Sequence, residues 1–383
     1  MIEQISRITF LLSVSFIAVR IFRQDGIYAI YGAVASAFIS SLIAIVHIYY
    51  TRKKVMKEYD DLAAKQTAKT QSHLYLAREL LSFSVPYLIS TILGNSLSIV
   101  NSTFFSRAMD RAGYAAETTM LLYSMLLVTC DKLTSIPHFL VTGYSSAIVP
   151  YVTTSYEKGD HRQLNKYIID AIDSVTYLGL PICFFLFAIG TEIYYVMYGG
   201  SNFILGGQVL RWASISALFG TVSPIITALA MATRLRKQNL TFMLIGFIVK
   251  LATFFPLIRW FGYPGAVISS ALCSGVIMGL NMYAIYKNYH VDYKPTLQRL
   301  SKMAIGLVGM VIVFRVLNLL GLKVVDQKRI VALFELAFYG VFGLLAYVAV
   351  TSYFHVPEEI FHIQDYKNVF SYSLGILKRV IRR

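Results

Sequence analysis

Apolar stretches recur from end to end of the chain, near 5–22, 26–50, 78–106, 119–151, 164–190, 207–232, 238–258, 264–287, 300–320 and 329–354. A helix needs about 20 residues to cross a hydrocarbon core of roughly 30 Å, so the pattern predicts an all-α integral membrane protein with about ten spans. Some stretches, 119–151 among them, exceed a minimal span, which predicts tilt, a kink or a projecting end. Polar segments divide the series. Residues 1–50 form a hairpin joined at "RQDGIYAI", and 51–77 is a polar linker with some amphipathic helix. Six closely connected spans occupy 78–287, a further hairpin fills 288–354, and 355–383 alternates apolar and basic residues as an interfacial tail does.

Composition agrees with lipid as the solvent. Apolar residues make up 56% of the chain and charged ones only 14%. The formal charge of +15 would suit nucleic acid, but its distribution excludes that reading. Lys and Arg concentrate in 51–77, 152–163, 233–237, 287–302 and the tail, whereas the alternate loops carry few. This asymmetry predicts a multi-pass membrane protein with both termini cytoplasmic, its basic loops touching membrane lipids. Cys130, Cys183 and Cys273 all fall within apolar spans with no metal-ligand spacing. No Gly-rich phosphate loop occurs, so neither cofactor nor metal is expected. No cleavable leader is evident after Met1.

Inside the spans, polar residues form stripes. Thr91, Asn95, Ser98 and Ser102 follow one another at three-four spacing, with Ser90, Gly94 and Asn101 beside them. In the next span Ser124, Asp131, Ser135, His138, Thr142 and Ser145 share one face, with Lys132 flanking it. Hydroxyls alone would serve as a helix–helix seam. Charged residues within a span are costly and therefore rare, so Asp131, Lys132 and His138 favour a hydrated cavity instead. Pro137 predicts a bend at that point. Lys250 lies in a span and either faces the cavity or snorkels outward. Glu335 is expected to pair with Arg315 across the last hairpin. Asp170 and Asp173 fit a structural role near a helix start. Arg211 fits an interfacial anchor.

The order "CDKLTSIPHFLVTGYSSAIVPYVTTSYEKGD", followed by "TYLGLPICFFLFAIGTEIYYVMYGG" and "GYPGAVISSAL", resembles the lipid II flippases (MurJ-like) of the multidrug, oligosaccharidyl-lipid and polysaccharide exporter superfamily. The resemblance implies two six-helix lobes and an added hairpin, with a complete second lobe, 78–287, and an incomplete first lobe of two helices. Four amino-terminal helices would then be lacking, and a separate polypeptide could supply them. It further implies a transporter, not an enzyme, that flips an anionic lipid-linked sugar precursor by alternating access. The polar stripes and intramembrane charges make Asn95, Ser98, Asp131, Lys132, Ser135, His138, Thr142 and Lys250 the candidate cavity residues. The resemblance itself carries over only Lys132, with Asp131 before it and Pro137 after it, and the Lys250 position. Lys132 matches a basic position usually held by arginine, and supplies a point charge where arginine would supply a fork. A drug or cation antiporter of the same superfamily and an inactive fragment are the alternatives; the antiporter would want a cavity dominated by carboxylates.

Overall fold

The computed structural model describes residues 2–17, 26–63 and 72–361, and among these every regular element is helical. The chain divides into two compact units, Met1–Ser82 and Phe83–Arg383.

In the first unit, α1 (Ile2–Phe16) packs along α2 (Gly26–Ala63). Contact is made through small residues one turn apart. Gly32 receives Val14, whose Cγ1 would lie 2.5 Å from a Cβ at that position. Ser36 and Ser40 follow at the same face, fully buried, their hydroxyls returned to the carbonyls of Ala33 and Ala37. Small residues every fourth position let membrane helices approach closely, because lipid tails offer no hydrophobic drive between them. The outer face of α2 carries Val34, Phe38 and Ile45, all exposed.

The second unit holds the remainder of α3 (His73–Gly94), then α4 (Ser96–Arg111), α5 (Ala116–Ser124), α6 (Cys130–Glu157), α7 (His161–Ala188), the short α8 (Gly190–Tyr198), α9 (Phe203–Ala232), α10 (Arg236–Phe261), α11 (Tyr263–Tyr289), α12 (Lys294–Leu319), α13 (Arg329–Tyr353) and α14 (Val356–Phe361). Helix α9 is central, flanked by α6, α7 and α11, while α10 pairs with α11 and α4. Turns follow local chemistry. Asp160 caps α7 by accepting the Gln163 amide at 3.0 Å. Gly262 adopts φ +69° between α10 and α11, and a Cβ there would meet the Tyr114 hydroxyl at 2.3 Å, so both backbone and space require glycine.

The hairpin α12–α13 is tied to the body at several points. Tyr347 donates to the Tyr177 carbonyl at 3.3 Å, and the Tyr177 hydroxyl meets Thr351 at 3.1 Å. At the opposite end Tyr195 bonds the Gln327 carbonyl at 2.8 Å, and Arg329 bonds the carbonyls of Val196 and Met197 at the close of α8. Glu335 and Arg315 form no ion pair, and Glu335 Oε2 is buried without a hydrogen-bond partner. The expected cross-hairpin bridge is therefore absent among the described residues.

Eight described helical stretches are long and apolar enough to cross a membrane. Two of the ten expected spans differ. The first falls on α1 and runs on into 18–25, outside the described residues. The 78–106 stretch is two helices, α3 and α4, divided at Asn95, where the side-chain amide also donates to the Thr91 carbonyl at 2.8 Å. Helix α6 continues through Pro137 and Pro150, and a π-turn at Met125–Thr129 precedes it. The interfacial tail falls almost wholly outside the described residues, apart from α14.

Candidate functional site

Four helices of the second unit supply the polar lining of an open cleft of about 290 Å³. Each contributes at three-four spacing: Ser98, Asn101 and Ser102 from α4, Asp131, Thr134 and His138 from α6, Ser216 and Gly220 from α9, and Ser270 and Ser274 from α11. Apolar side chains make up the rest of the wall, among them Leu97, Leu126, Leu127, Val267 and Tyr123 of α5. A second hollow of about 440 Å³ continues from it, sharing Leu97, His138, Gly220 and Ser274.

The π-turn explains which residues of α6 reach this cleft. One extra residue in the turn shifts the helical register, so the face carrying Ser124 no longer continues into the face carrying Asp131. The turn is pinned from α8, where Tyr198 donates to the Thr129 carbonyl at 2.9 Å and the Tyr194 hydroxyl meets that of Thr129 at 3.2 Å. Beyond it, Asp131, Thr134 and His138 line the cleft, with Thr134 buried, His138 half-buried and Asp131 exposed. The His138 ring lies against α9, with Nε2 3.4 Å from the Ala217 carbonyl oxygen. Only glycine at position 220 allows this, since a Cβ there would stand 2.9 Å from Nε2.

The inner wall is stiffened by Lys250. Its side chain is 0% exposed, and Nζ donates to Ser270 Oγ at 2.7 Å and to the Ala266 carbonyl at 3.1 Å. The Phe254 ring centroid is 4.7 Å from Nζ. Asn101 reaches the same Ser270 hydroxyl at 3.5 Å, leaving its own Oδ1 buried and unpartnered. Lys250 thus neither lines the cleft nor snorkels outward. It lies one hydrogen bond behind the wall.

No family model matches the chain. Over 314 residues it is 26% identical to the lipid II flippase MurJ of Bacillus subtilis (strain 168), an alignment covering 79% of this chain and 56% of that protein. The chain is a homologue of MurJ. A solved structure of lipid II flippase MurJ in an inward closed conformation shares the fold, with a TM-score of 0.64 at 13% identity over 92% of this chain and 66% of that one. The chain therefore spans little more than half the length of its Bacillus relative.

Set in this MurJ-like fold, the residues singled out from sequence divide into two groups. Ser98, Asp131 and His138 line the cleft together. Lys132, Ser135, Thr142 and Asn95 do not. Lys132 and Thr142 are exposed on α6, where the Ser135 hydroxyl returns to the Lys132 carbonyl at 2.8 Å and that of Thr142 to the His138 carbonyl at 3.0 Å. Asn95 is exposed at the α3–α4 break. Sequence reasoning passed over Thr134, Ser216, Gly220, Ser270 and Ser274. The pairs Ser216/Gly220 and Ser270/Ser274 carry a readable signal, small residues four apart, but it is identical to that of an ordinary packing face.

Proposed function

We propose that the chain is part of a flippase that moves an anionic lipid-linked cell-wall or polysaccharide precursor, such as lipid II, across the plasma membrane by alternating access. The alignment with MurJ carries this reading, and the polar cleft amid apolar helices supports it. Such a substrate has a hydrophilic head that needs hydrated, hydrogen-bonding walls and a polyprenyl tail that stays in lipid. Hydroxyl and amide groups of Ser98, Asn101, Thr134, Ser216, Ser270 and Ser274 suit sugar and phosphate oxygens. Residues 78–287 would act as one lobe, with Asn95, Lys132, Ser135 and Thr142 on its exposed polar face, and both termini would be cytoplasmic.

Asp131 favours a second reading. It is the acidic residue of the cleft and has no ion pair among the described residues. A cation antiporter would use such a carboxylate. The two are separated in proteoliposomes by following a fluorescent lipid-linked pyrophosphate sugar and, in parallel, efflux of a cationic dye. The chain is assayed alone and with a co-expressed segment supplying the first four helices of MurJ. Flipping that Lys132→Glu abolishes and Asp131→Asn tolerates supports the flippase. Dye efflux lost in Asp131→Asn, with no flipping, supports the antiporter.

A further inference from the structure

At the membrane end where α4 and α10 finish, a separate cleft of about 480 Å³ is lined by Ala108, Arg111, Ala112, Phe255, Pro256, Arg259 and Trp260. It lies outside the polar cleft and shares none of its lining residues. Arg111 closes α4 and Arg259 sits in the last turn of α10. The Arg111 guanidinium carbon lies over the Phe255 ring, 5.3 Å from its centroid, a cation–π contact. Trp260 is 75% exposed at the rim.

Two arginines edging one cleft repel each other unless something negative stands between them. No described carboxylate does so: neither guanidinium forms an ion pair, and no acidic side chain lines the cleft. Helix C-termini favour cations, which accounts for each arginine separately. It does not account for both edging the same hollow. The small side chains of Ala108 and Ala112 leave the floor open. An exposed tryptophan beside arginines at a helix end marks the depth of lipid head groups, and guanidinium is the side chain best matched to phosphate, donating two parallel hydrogen bonds.

We propose that this cleft binds the phosphate of a lipid head group, held between Arg111 and Arg259 with Trp260 at its edge. The site is independent of the flippase reading. The same phosphate chemistry is offered by an anionic membrane phospholipid and by a polyprenyl pyrophosphate carrier, so both are tested.

The full chain carrying Trp212→Phe leaves Trp260 as its sole tryptophan, since the sequence has 2. In dodecyl maltoside micelles, which carry no phosphate, its emission is titrated with phosphatidylglycerol, polyprenyl pyrophosphate or the matching phosphate-free polyprenol. A saturable change with at least one phosphate lipid and none with polyprenol is expected, and the lipid with the lower Kd identifies the source. In the Arg111→Gln/Arg259→Gln double variant that Kd should rise at least tenfold. Both positions are exposed, so unfolding midpoints should match, and circular dichroism checks the fold. An unchanged Kd in the folded double variant overturns the proposal, as does an equal response to polyprenol or no response to either phosphate lipid. Failure of flipping with this binding intact would count against the transport reading alone.

Discussion

Arg299 on α12 donates to the carboxylate of Asp173 on α7, which is only 1% exposed. Its Nε also reaches Glu359 on α14 at 2.9 Å, and Lys302 meets the other oxygen of that carboxylate at 3.4 Å. One guanidinium therefore joins three helices. Of the two acids expected near the start of that helix, Asp173 is therefore a docking point for the last hairpin.

Removing one member of a buried ion pair strands the other, at a typical cost of about 3–5 kcal/mol. Arg299→Met should destabilise the second unit by that order, read from unfolding in a denaturing detergent series. Arg299→Met combined with Asp173→Leu removes the stranded charge and should recover much of the loss. Equal stability of the single variant and wild type would exclude the clamp.

Acid should loosen α14. Burial pushes the Glu359 carboxyl upward, but hydrogen bonds and charge from Arg299 and Lys302 outweigh this and hold it below the ordinary carboxylate value. A group depressed in the folded state stabilises above its unfolded pKa, about 4.3 for Glu, and that contribution is lost as pH falls through the folded value. Protease access to the chain after Tyr353 should rise as pH drops below about 4, and Glu359→Gln should show the raised access already at pH 7.

Space at Gly220 belongs to His138. Gly220→Val should force the imidazole from its place against Ala217, at an overpacking cost of about 1–3 kcal/mol. In a His138→Ala background the same valine should cost far less. A thermal-unfolding double-mutant cycle measures the coupling; two additive losses would show that the ring does not depend on that glycine.

Lys250 is predicted to serve function at the expense of stability. A buried amino group held only by a carbonyl, a hydroxyl and an aromatic face is costlier to the fold than an apolar chain of similar length. Lys250→Met should keep the unfolding midpoint or raise stability by about 1–4 kcal/mol, while transport falls and Cys replacements at Ser98 and Asn101 change their reactivity toward an impermeant thiol reagent. A lowered midpoint with transport retained would assign Lys250 to structure.

The hydrophobic pattern made most of the fold legible, because span length and apolar content are dictated by the bilayer and survive any packing arrangement. Where it misled, local backbone geometry was responsible. A stretch that reads as one span divides at Asn95, between α3 and α4. In the long segment around Asp131, periodicity correctly grouped Asp131 with His138 but carried Ser124 along, since a π-turn leaves no compositional mark. Lys250 was visible as an anomaly. Its place behind Ser270 was not, because that depends on the pairing of α10 with α11. The serines of α9 and α11 were hidden for a different reason: small residues at helical spacing mean close packing as readily as a cleft.

The ties of the last hairpin have a mechanical consequence. Arg299 fastens it to α7 near one membrane face, Tyr347 and Thr351 fasten it to Tyr177 farther along α7, and Arg329 and Gln327 fasten it to α8 near the other face. A body held at one end can swing like a flap, and one held at both ends cannot. The α12–α13 hairpin is thus a strut: any tilt of α7 and α8 would carry the hairpin with them, and the lipid displaced would be that around all four helices.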